Sequence, residues 1–460
     1  MREAECTLRS EAGNVLDLTR GPIFRTVLRL AWPMIVGNVL QNAFNVVDMV
    51  FVGRLGADAI AAVALSGLLM QISWTLLIGV SIGTTAMVSR FYGAGELEQA
   101  GLTAMQSLTL GVVVSVLLVA FVNLLGRQVL VALGATSAVV ELGRGYLGIV
   151  FNGSFTLIVF FLSSAIMRGV GDALSPMLIM AGATAVNIAL DPLLIFGLGP
   201  FPEMGVRGAA LATVLAQGLG TGVGLFILST GRTRLHLRWR HYRLDFALVR
   251  RMLRLSGPGT VQGAVRSLGN LLLMRIVTSF GVLVVAAYGI GLRLDLIVMM
   301  PGWALGAAAA ALVGQNLGAG KPERAERSAW VAAILYIGLL ALVGGLFFVF
   351  PGPLIRAFNS TPEIVAVGSS YLRVRVAGYA FLALGLVMAS ALNGAGDTVG
   401  PMVILAVTLV GVQVPLARIL PPLLGGRPLG VWIAVTTAFV LQGSAMGIWF
   451  LRGRWKHRQI

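Results

Sequence analysis

The stretch RGVGDALSPM (Arg168–Met177) returns 225 positions later as NGAGDTVGPM (Asn393–Met402). Other segments repeat at the same offset: RLAWP at Arg29–Pro33 and RLSGP at Arg254–Pro258, Gly93-Ala94-Gly95 and Gly318-Ala319-Gly320, Tyr146-Leu147 and Tyr371-Leu372. Chance does not hold one register without a gap across most of each half, so the chain is an internal duplication.

The composition places this duplication in a membrane. Hydrophobic residues make up 57% of the 460 residues and charged residues only 11%, whereas a soluble domain carries about 25% charged residues. Apolar runs of about 20 residues, the length that spans a bilayer as a helix, recur along the chain. They predict an all-α protein with twelve spans, near residues 27–52, 59–86, 102–125, 146–167, 175–198, 206–230, 252–277, 283–312, 328–350, 371–392, 400–421 and 430–451.

The distribution of positive charge predicts the orientation. About 22 of the 34 Lys and Arg residues fall in the N-terminus, the even-numbered loops and the C-terminal tail, which marks these segments as cytoplasmic. The odd-numbered loops hold only about six of the 34: Arg54, Arg127, Arg207, Arg356, Arg418 and Arg427. Topology therefore explains the net charge of +16, and no nucleic-acid partner is expected.

These observations divide the chain into five predicted parts. They are a cytoplasmic segment (1–26), a lobe of six spans (27–230), a basic cytoplasmic linker (231–251), a second lobe of six spans (252–451) and a cytoplasmic tail (452–460). Because six is an even number, both lobes enter the membrane from the same side and form a parallel repeat, as in some secondary transporters. Two bundles that face a common cavity can open alternately to either side, which favours a carrier.

The sequence gives little support for an enzyme. Its three histidines, His236, His241 and His457, all fall in predicted cytoplasmic segments, and no phosphate-binding loop is present. Cys6 is the only cysteine, so no disulfide forms within the chain. No cofactor and no metal site are expected. A channel remains an alternative, as does a membrane protein without a transport function.

Polar residues at membrane depth are the candidate functional groups, because a charge there costs about 2.5–3.5 kcal/mol. Asp48 lies in span one, Asn187 and Asp191 lie one helical turn apart in span five, and Thr213 in span six offers another oxygen. The second half carries Leu273, Val412, Leu416 and Ala438 at the equivalent positions. Residues shared by both halves are explained by folding, whereas polar residues found in one half only indicate function.

Several motifs resemble those of the multidrug and toxic compound extrusion (MATE) family, and the polar cluster resembles that of its DinF-like branch. The motifs cover nearly the whole chain: Trp32-Pro33-Met34, Asp48 with Gly53-Arg54-Leu55-Gly56, Arg168–Asp172, Gly314–Gly320 and Ala391–Asp397. The resemblance implies a V-shaped arrangement of two lobes. It implies export of cationic or amphipathic drugs in exchange for protons or sodium, and it makes Asp48, Asn187 and Asp191 the cation or proton site.

The resemblance also bears on the coupling ion. The sodium-coupled branch of the family places acids in spans seven and ten, where this chain has Arg266 and Leu382. We therefore expect proton coupling through the first lobe, with sodium at the same oxygens as the alternative. Pro33 is a candidate hinge of span one. In span eight, Arg293 and Asp295 point to different faces and are a candidate gating or second proton site.

The predicted partners and location follow. We expect small cationic or amphipathic substrates, a lipid bilayer, a monomer and an inner cell membrane location with both termini cytoplasmic. The alternative within transporters is a lipid-linked oligosaccharide flippase of the same superfamily. That activity requires a strongly cationic cavity, whereas the first lobe here is acidic.

Overall fold

The computed structural model describes residues 16–233, 235–238 and 243–458. Within these residues the chain is helical and contains no strand. Residues 1–15 of the predicted N-terminal segment, positions 234 and 239–242 of the linker and the last two residues of the tail lie outside the described residues.

The described residues of the first half form seven helices. They are α1 (Ile23–Gly53), α2 (Ala57–Gly93), α3 (Leu97–Ala132), α4 (Ser137–Asn152), α5 (Ser154–Gly169), α6 (Leu174–Phe196) and α7 (Val206–Thr230).

The second half repeats this order. It contains α8 (Phe246–Thr278), α9 (Val282–Gly318), α10 (Pro322–Val349), the short α11 (Pro351–Arg356), α12 (Pro362–Val376) and α13 (Tyr379–Gly394). Then follow α14 (Val399–Leu405), a π-helix (Ala406–Gln413), α15 (Val414–Leu423) and α16 (Leu429–Leu451).

These helices account for the twelve predicted spans. In the described part of the chain nine helical segments are long and apolar enough to cross a membrane, and two bent pairs of helices raise the number to eleven. The twelfth predicted span is α8, which has 33 residues but carries several arginines and amides. The prediction of an all-α polytopic membrane protein is confirmed.

Spans four and ten are broken at equivalent places. Helices α4 and α5 meet at Gly153 with a bend of 47°, and α12 and α13 meet at a bend of 57° beside Gly378. The two glycines lie 225 positions apart, so the break is a property of the duplicated scaffold. The sequence predicted each span as continuous, because the apolar run does not stop at the glycine.

Close helix packing in both halves depends on small residues, as is usual in membranes. In the first half, a methyl group on Gly208 of α7 would overlap the carbonyl oxygen of Leu194 in α6. In the second half, a methyl group on Gly394 of α13 would overlap the backbone of Ala310 in α9. These contacts fix α6 against α7 and α9 against α13.

The contacts divide the chain into two compact units. Of the described residues, the first comprises Leu16 and Asp17 with those of Trp32–Arg254, and the second comprises Leu18–Ala31 with those from Leu255 to Arg458. Helix α1 is therefore shared: its first nine residues group with the second unit, and the change falls next to Pro33. Helix α1 continues without interruption through this proline. The predicted domain bounds, which refer to membrane topology, stay a prediction.

Candidate functional site

The first unit brings Asp48 and Asp191 together. Asp48 lies on α1 and Asp191 on α6, and the two carboxylates are close enough to interact electrostatically. Tyr146 on α4 lies within electrostatic range of both carboxylates. Asp191 and Tyr146 are buried, and Asp48 is half-buried with one oxygen, Oδ1, fully covered. Three different helices thus contribute to one polar site.

Asn187 belongs to the same site. It lies one turn before Asp191 on α6, and its Nδ2 donates a hydrogen bond of 3.2 Å to Oδ1 of Asp191. Both side chains are fully buried. The i, i+4 spacing read from the sequence places them on one helix face. Pro192 follows directly and cannot donate a backbone hydrogen bond, which leaves the carbonyl group one turn earlier without its helical partner.

Thr213 is placed by the packing of α7 on α6. The two antiparallel helices touch where Gly208 meets the carbonyl of Leu194. Thr213 lies five residues beyond this contact on α7. On α6, Asp191 and Asn187 lie three and seven residues from the contact in the same direction along the helix pair. Thr213 therefore lies at a height between Asn187 and Asp191. Its side chain is buried.

Several buried oxygens on α1, α6 and α7 lack hydrogen-bond partners in the described structure. Five buried oxygens on these helices have no hydrogen-bond partner in the described structure: Asp48 Oδ1, Thr184 Oγ1, Asn187 Oδ1, Asp191 Oδ2 and Thr213 Oγ1. A buried polar atom without a partner costs about 1–3 kcal/mol, so several in one place need a reason. All five are oxygens, the atoms that bind protons and hard cations.

The composition of the site limits which cation fits. Within the described residues no group of three or more His, Cys, Asp or Glu side chains is positioned to hold a metal ion. The site offers two carboxylates with amide and hydroxyl oxygens, and no nitrogen or sulfur ligand. That set fits a proton or a monovalent hard cation such as sodium.

The second unit holds a different polar cluster, centred on Asp295 of α9. Its Oδ2 accepts hydrogen bonds from the Tyr371 hydroxyl (2.5 Å) and from Nη2 of Arg375 (2.7 Å), and its Oδ1 accepts one from the Tyr379 hydroxyl (3.3 Å). Asp295 and Arg375 are both buried. Arg293, two residues away, is exposed, so the two members of this pair do lie on different faces.

This cluster spans the break in span ten. Tyr371 and Arg375 lie at the end of α12, and Tyr379 is the first residue of α13. Asp295 therefore ties both sides of the 57° bend to α9. The Arg375 guanidinium also lies 4.3 Å from the centre of the Phe439 ring. Because the carboxylate has an arginine and two hydroxyl donors, the cluster is well suited to hold the bent helix in place.

Two further acidic residues stabilise turns between helices. Asp172, between α5 and α6, accepts a bond from the backbone amide of Ser175 (2.9 Å), and burial raises the pKa of its carboxyl group above the ordinary value. Asp397, between α13 and α14, accepts bonds from Nε1 of Trp449 (2.9 Å) and Nη1 of Arg458 (2.5 Å).

Sequence reasoning singled out Asp295 but missed its partners Arg375 and Tyr379. These three residues correspond to Met70, Val150 and Ser154 in the first half. The comparison between the halves that singles out Asp48 would have found Arg375 and Tyr379 as well. Tyr146 was not predicted as a site residue for the opposite reason. Its equivalent in the second half is also a tyrosine, Tyr371, and residues shared by both halves are explained by folding.

Comparison with known proteins identifies the family. A sequence model of the MatE family matches residues 33–193 and 258–419, one segment in each half. The chain belongs to the MatE family. A probable multidrug resistance protein NorM of Thermotoga maritima is 30% identical over 95% of this chain and 94% of its own length. A FAD transporter of Shewanella oneidensis is 27% identical over 93% of this chain and 94% of its own length.

A solved structure supports the fold. The crystal structure of a MATE protein in the bent conformation superposes with a TM-score of 0.88, at 25% identity, over 95% of this chain and 96% of that chain. The resemblance noted from the motifs is thus confirmed, and the MatE protein is a multi-pass membrane transporter. The DinF-like branch stays a prediction.

Proposed function

We propose that this MatE protein is a secondary active multidrug exporter. It exports cationic or amphipathic compounds in exchange for protons, with sodium as the alternative ion, by alternating access. The coupling site is the polar cluster of the first unit, formed by Asp48, Asn187, Asp191 and Thr213.

One observation carries the proposal. The cluster places two carboxylates within electrostatic range of each other, surrounded by buried oxygens that have no partner in the described structure. Its equivalents in the second half are Leu273, Val412, Leu416 and Ala438. Asp295, the asymmetric acid of the second half, has hydrogen-bond donors on both oxygens, whereas Asp48 and Asp191 each keep a buried oxygen without a partner in the described structure. That difference supports a role of Asp48 and Asp191 in ion binding.

The two carboxylates supply the coupling chemistry. Two negative charges in a low-dielectric site repel each other, and binding a proton or a sodium ion removes that repulsion. Asp48 is carried by α1, whose segments group with different units on either side of Pro33. Loading of the site therefore changes the electrostatic force on a helix that belongs to both units. In this scheme Pro33 is the hinge of α1, and ion binding lowers the affinity of the protein for the drug.

The membrane placement is part of the proposal. The protein lies in the inner cell membrane with both termini cytoplasmic, since Lys and Arg gather in the even-numbered loops. We propose that the monomer is the transporting unit, because each chain contains both halves of the repeat.

The test is transport by the purified protein in sealed proteoliposomes. A fluorescent cationic drug such as ethidium is loaded, and a proton or a sodium gradient is imposed separately. We expect drug efflux under the proton gradient and not under the sodium gradient alone. Efflux that follows the drug gradient and ignores both ions would overturn the proposal in favour of a channel.

The substrate panel must reach beyond drugs. Because a Shewanella relative is named a FAD transporter, FAD belongs in the same assay, and a fluorescent lipid-linked sugar tests the flippase alternative. Transport of either compound in place of cationic drugs would contradict the proposed substrate class while leaving ion coupling open to measurement.

A further inference from the structure

Two arginines share a cavity in the second unit, away from the polar clusters described above. The cavity has a volume of about 660 Å³ and lies between α11 and α12. Arg356 of α11 and Arg373 of α12 line it, with Ser369 and Ser370 on the same wall as Arg373. Its volume is within the range of about 300–1,000 Å³ typical of small-molecule sites.

Within the described residues neither arginine takes part in an ion pair. The ion pairs found there include those of Arg375 with Asp295, Lys456 with Glu326 and Arg458 with Asp397. Among the described residues that line the cavity none is acidic. Two like charges around one cavity repel each other unless an anion lies between them.

The duplication provides an internal comparison. The first unit has a cavity of about 400 Å³ at equivalent positions, where Glu141, Arg144, Gly145 and Gly148 correspond to Ala366, Ser369, Ser370 and Arg373. There Gly148 replaces Arg373, Val131 replaces Arg356, and Glu141 adds a negative charge. The cavity is therefore inherited from the scaffold. Two arginines, Arg144 and Arg207, line the first-unit cavity as well, but there Glu141 supplies a negative charge, whereas the lining of the second-unit cavity holds none.

Exposed aromatic residues lie close to the cavity lining in the sequence. Phe348 and Phe350 flank the lining residue Val349, Phe358 follows Arg356 by two residues, and all three are about half exposed. The predicted orientation places Arg356 in an outer loop, on the side where Lys and Arg are scarce. A cationic pocket with exposed aromatic residues near it in the sequence matches a molecule with an anionic head and apolar chains.

We propose that this cavity binds a phosphate group, held by Arg356 and Arg373 with the hydroxyls of Ser369 and Ser370. Guanidinium groups are the preferred partners of phosphate oxygens, which they bind through pairs of charge-assisted hydrogen bonds. The phosphate comes either from an anionic phospholipid headgroup or from a soluble phosphate. The site is separate from the coupling site, and its occupant binds whether or not the protein exports drugs.

The test uses the full-length protein purified in a neutral detergent, with two probes. Native mass spectrometry counts retained phosphatidylglycerol against phosphatidylcholine, and thermal unfolding measures stabilisation by inorganic phosphate at constant ionic strength. The variant is Arg356→Gln with Arg373→Gln. The matched control, Arg127→Gln with Arg427→Gln, removes two exposed arginines of the same predicted side that line neither cavity. A third variant, Arg356→Lys with Arg373→Lys, retains the charge.

If wild type retains phosphatidylglycerol selectively, and this retention falls about tenfold in the glutamine variant but not in the control, the ligand is a lipid headgroup. Stabilisation by inorganic phosphate that the glutamine variant loses, without lipid selectivity, identifies a soluble phosphate. In both cases the lysine variant retains more binding than the glutamine variant. Equal binding by wild type and the glutamine variant, or no binding of either probe by wild type, would overturn the proposal.

Discussion

Nδ2 of Asn187 donates a hydrogen bond of 3.2 Å to Oδ1 of Asp191, and the second carboxylate oxygen of Asp191, Oδ2, is buried without a partner in the described structure. The Asn187 amide thus binds Oδ1 of the carboxylate and fixes the orientation of Oδ2. Asp48 lies within electrostatic range of this carboxylate. The arrangement leaves an oxygen available to a proton or cation between two acids.

Replacing Asn187 by Ala should make Asp191 bind a proton more tightly without unfolding the protein, because the lost hydrogen bond stabilises the ionised carboxylate. A hydrogen bond to a charged group contributes about 1.5–3 kcal/mol, so we expect the ion concentration at half-maximal transport to change by about tenfold or more. The measurement is drug efflux from proteoliposomes as a function of pH and of sodium concentration.

The control for that variant is Asn123→Ala. Asn123 donates a side-chain bond of 3.1 Å to Asn152 at an exposed position of the same unit. Its loss should leave the ion dependence unchanged. Equal effects of the two substitutions would show that Asn187 has no special role at the carboxylate.

Breaking the buried pair between Arg375 and Asp295 should destabilise the second unit. Removing one partner of a buried ion pair costs about 3–5 kcal/mol, because the other charge remains uncompensated. We expect Arg375→Met and Asp295→Asn each to lower the thermal unfolding temperature strongly. In the double variant the decrease in unfolding temperature should be smaller than the sum of the two single decreases. Additive losses in this double-mutant cycle would contradict a direct interaction.

Gly208→Ala should disturb the coupling site through packing alone. The new methyl group would overlap the carbonyl oxygen of Leu194, so α6 and α7 must separate, and overpacking of this kind costs about 1–3 kcal/mol. We expect a lower unfolding temperature and weaker ion coupling. Gly222→Ala on the same helix is the matched control, because nothing lies within 4 Å of its added methyl group. Equal behaviour of the two variants would contradict the close packing.

The sequence predicted the fold well because the fold depends on features that are local or repeated. Span length follows from apolar runs, and the duplication follows from one constant offset. The breaks at Gly153 and Gly378 were not predicted, because glycine is common inside membrane helices and the apolar pattern continues across both. Nor was the π-helix before Pro415, since it depends on how the backbone adapts to that proline.

The residues of the candidate site could be predicted where a polar residue in one half has an apolar equivalent in the other. Asp48, Asn187 and Asp191 stand opposite apolar residues, and the structure brings them together. Tyr146 and Tyr371 were not predictable in this way, because the same tyrosine lies beside a different acid in each unit: Asp48 and Asp191 in the first, Asp295 in the second. A side chain retained in both halves can therefore still face a polar cluster, and only the packing shows which acid it meets.

The most direct measurement of the central claim is the proton released or taken up when drug crosses the membrane. Proteoliposomes containing a pH-sensitive dye are compared for wild type, Asp48→Asn and Asp58→Asn, the last being an exposed acid at the start of α2. We predict drug-dependent proton movement in wild type and Asp58→Asn, and at least a tenfold loss in Asp48→Asn, which should still insert and fold. Proton movement at the wild-type level in Asp48→Asn would contradict the assignment of the coupling site.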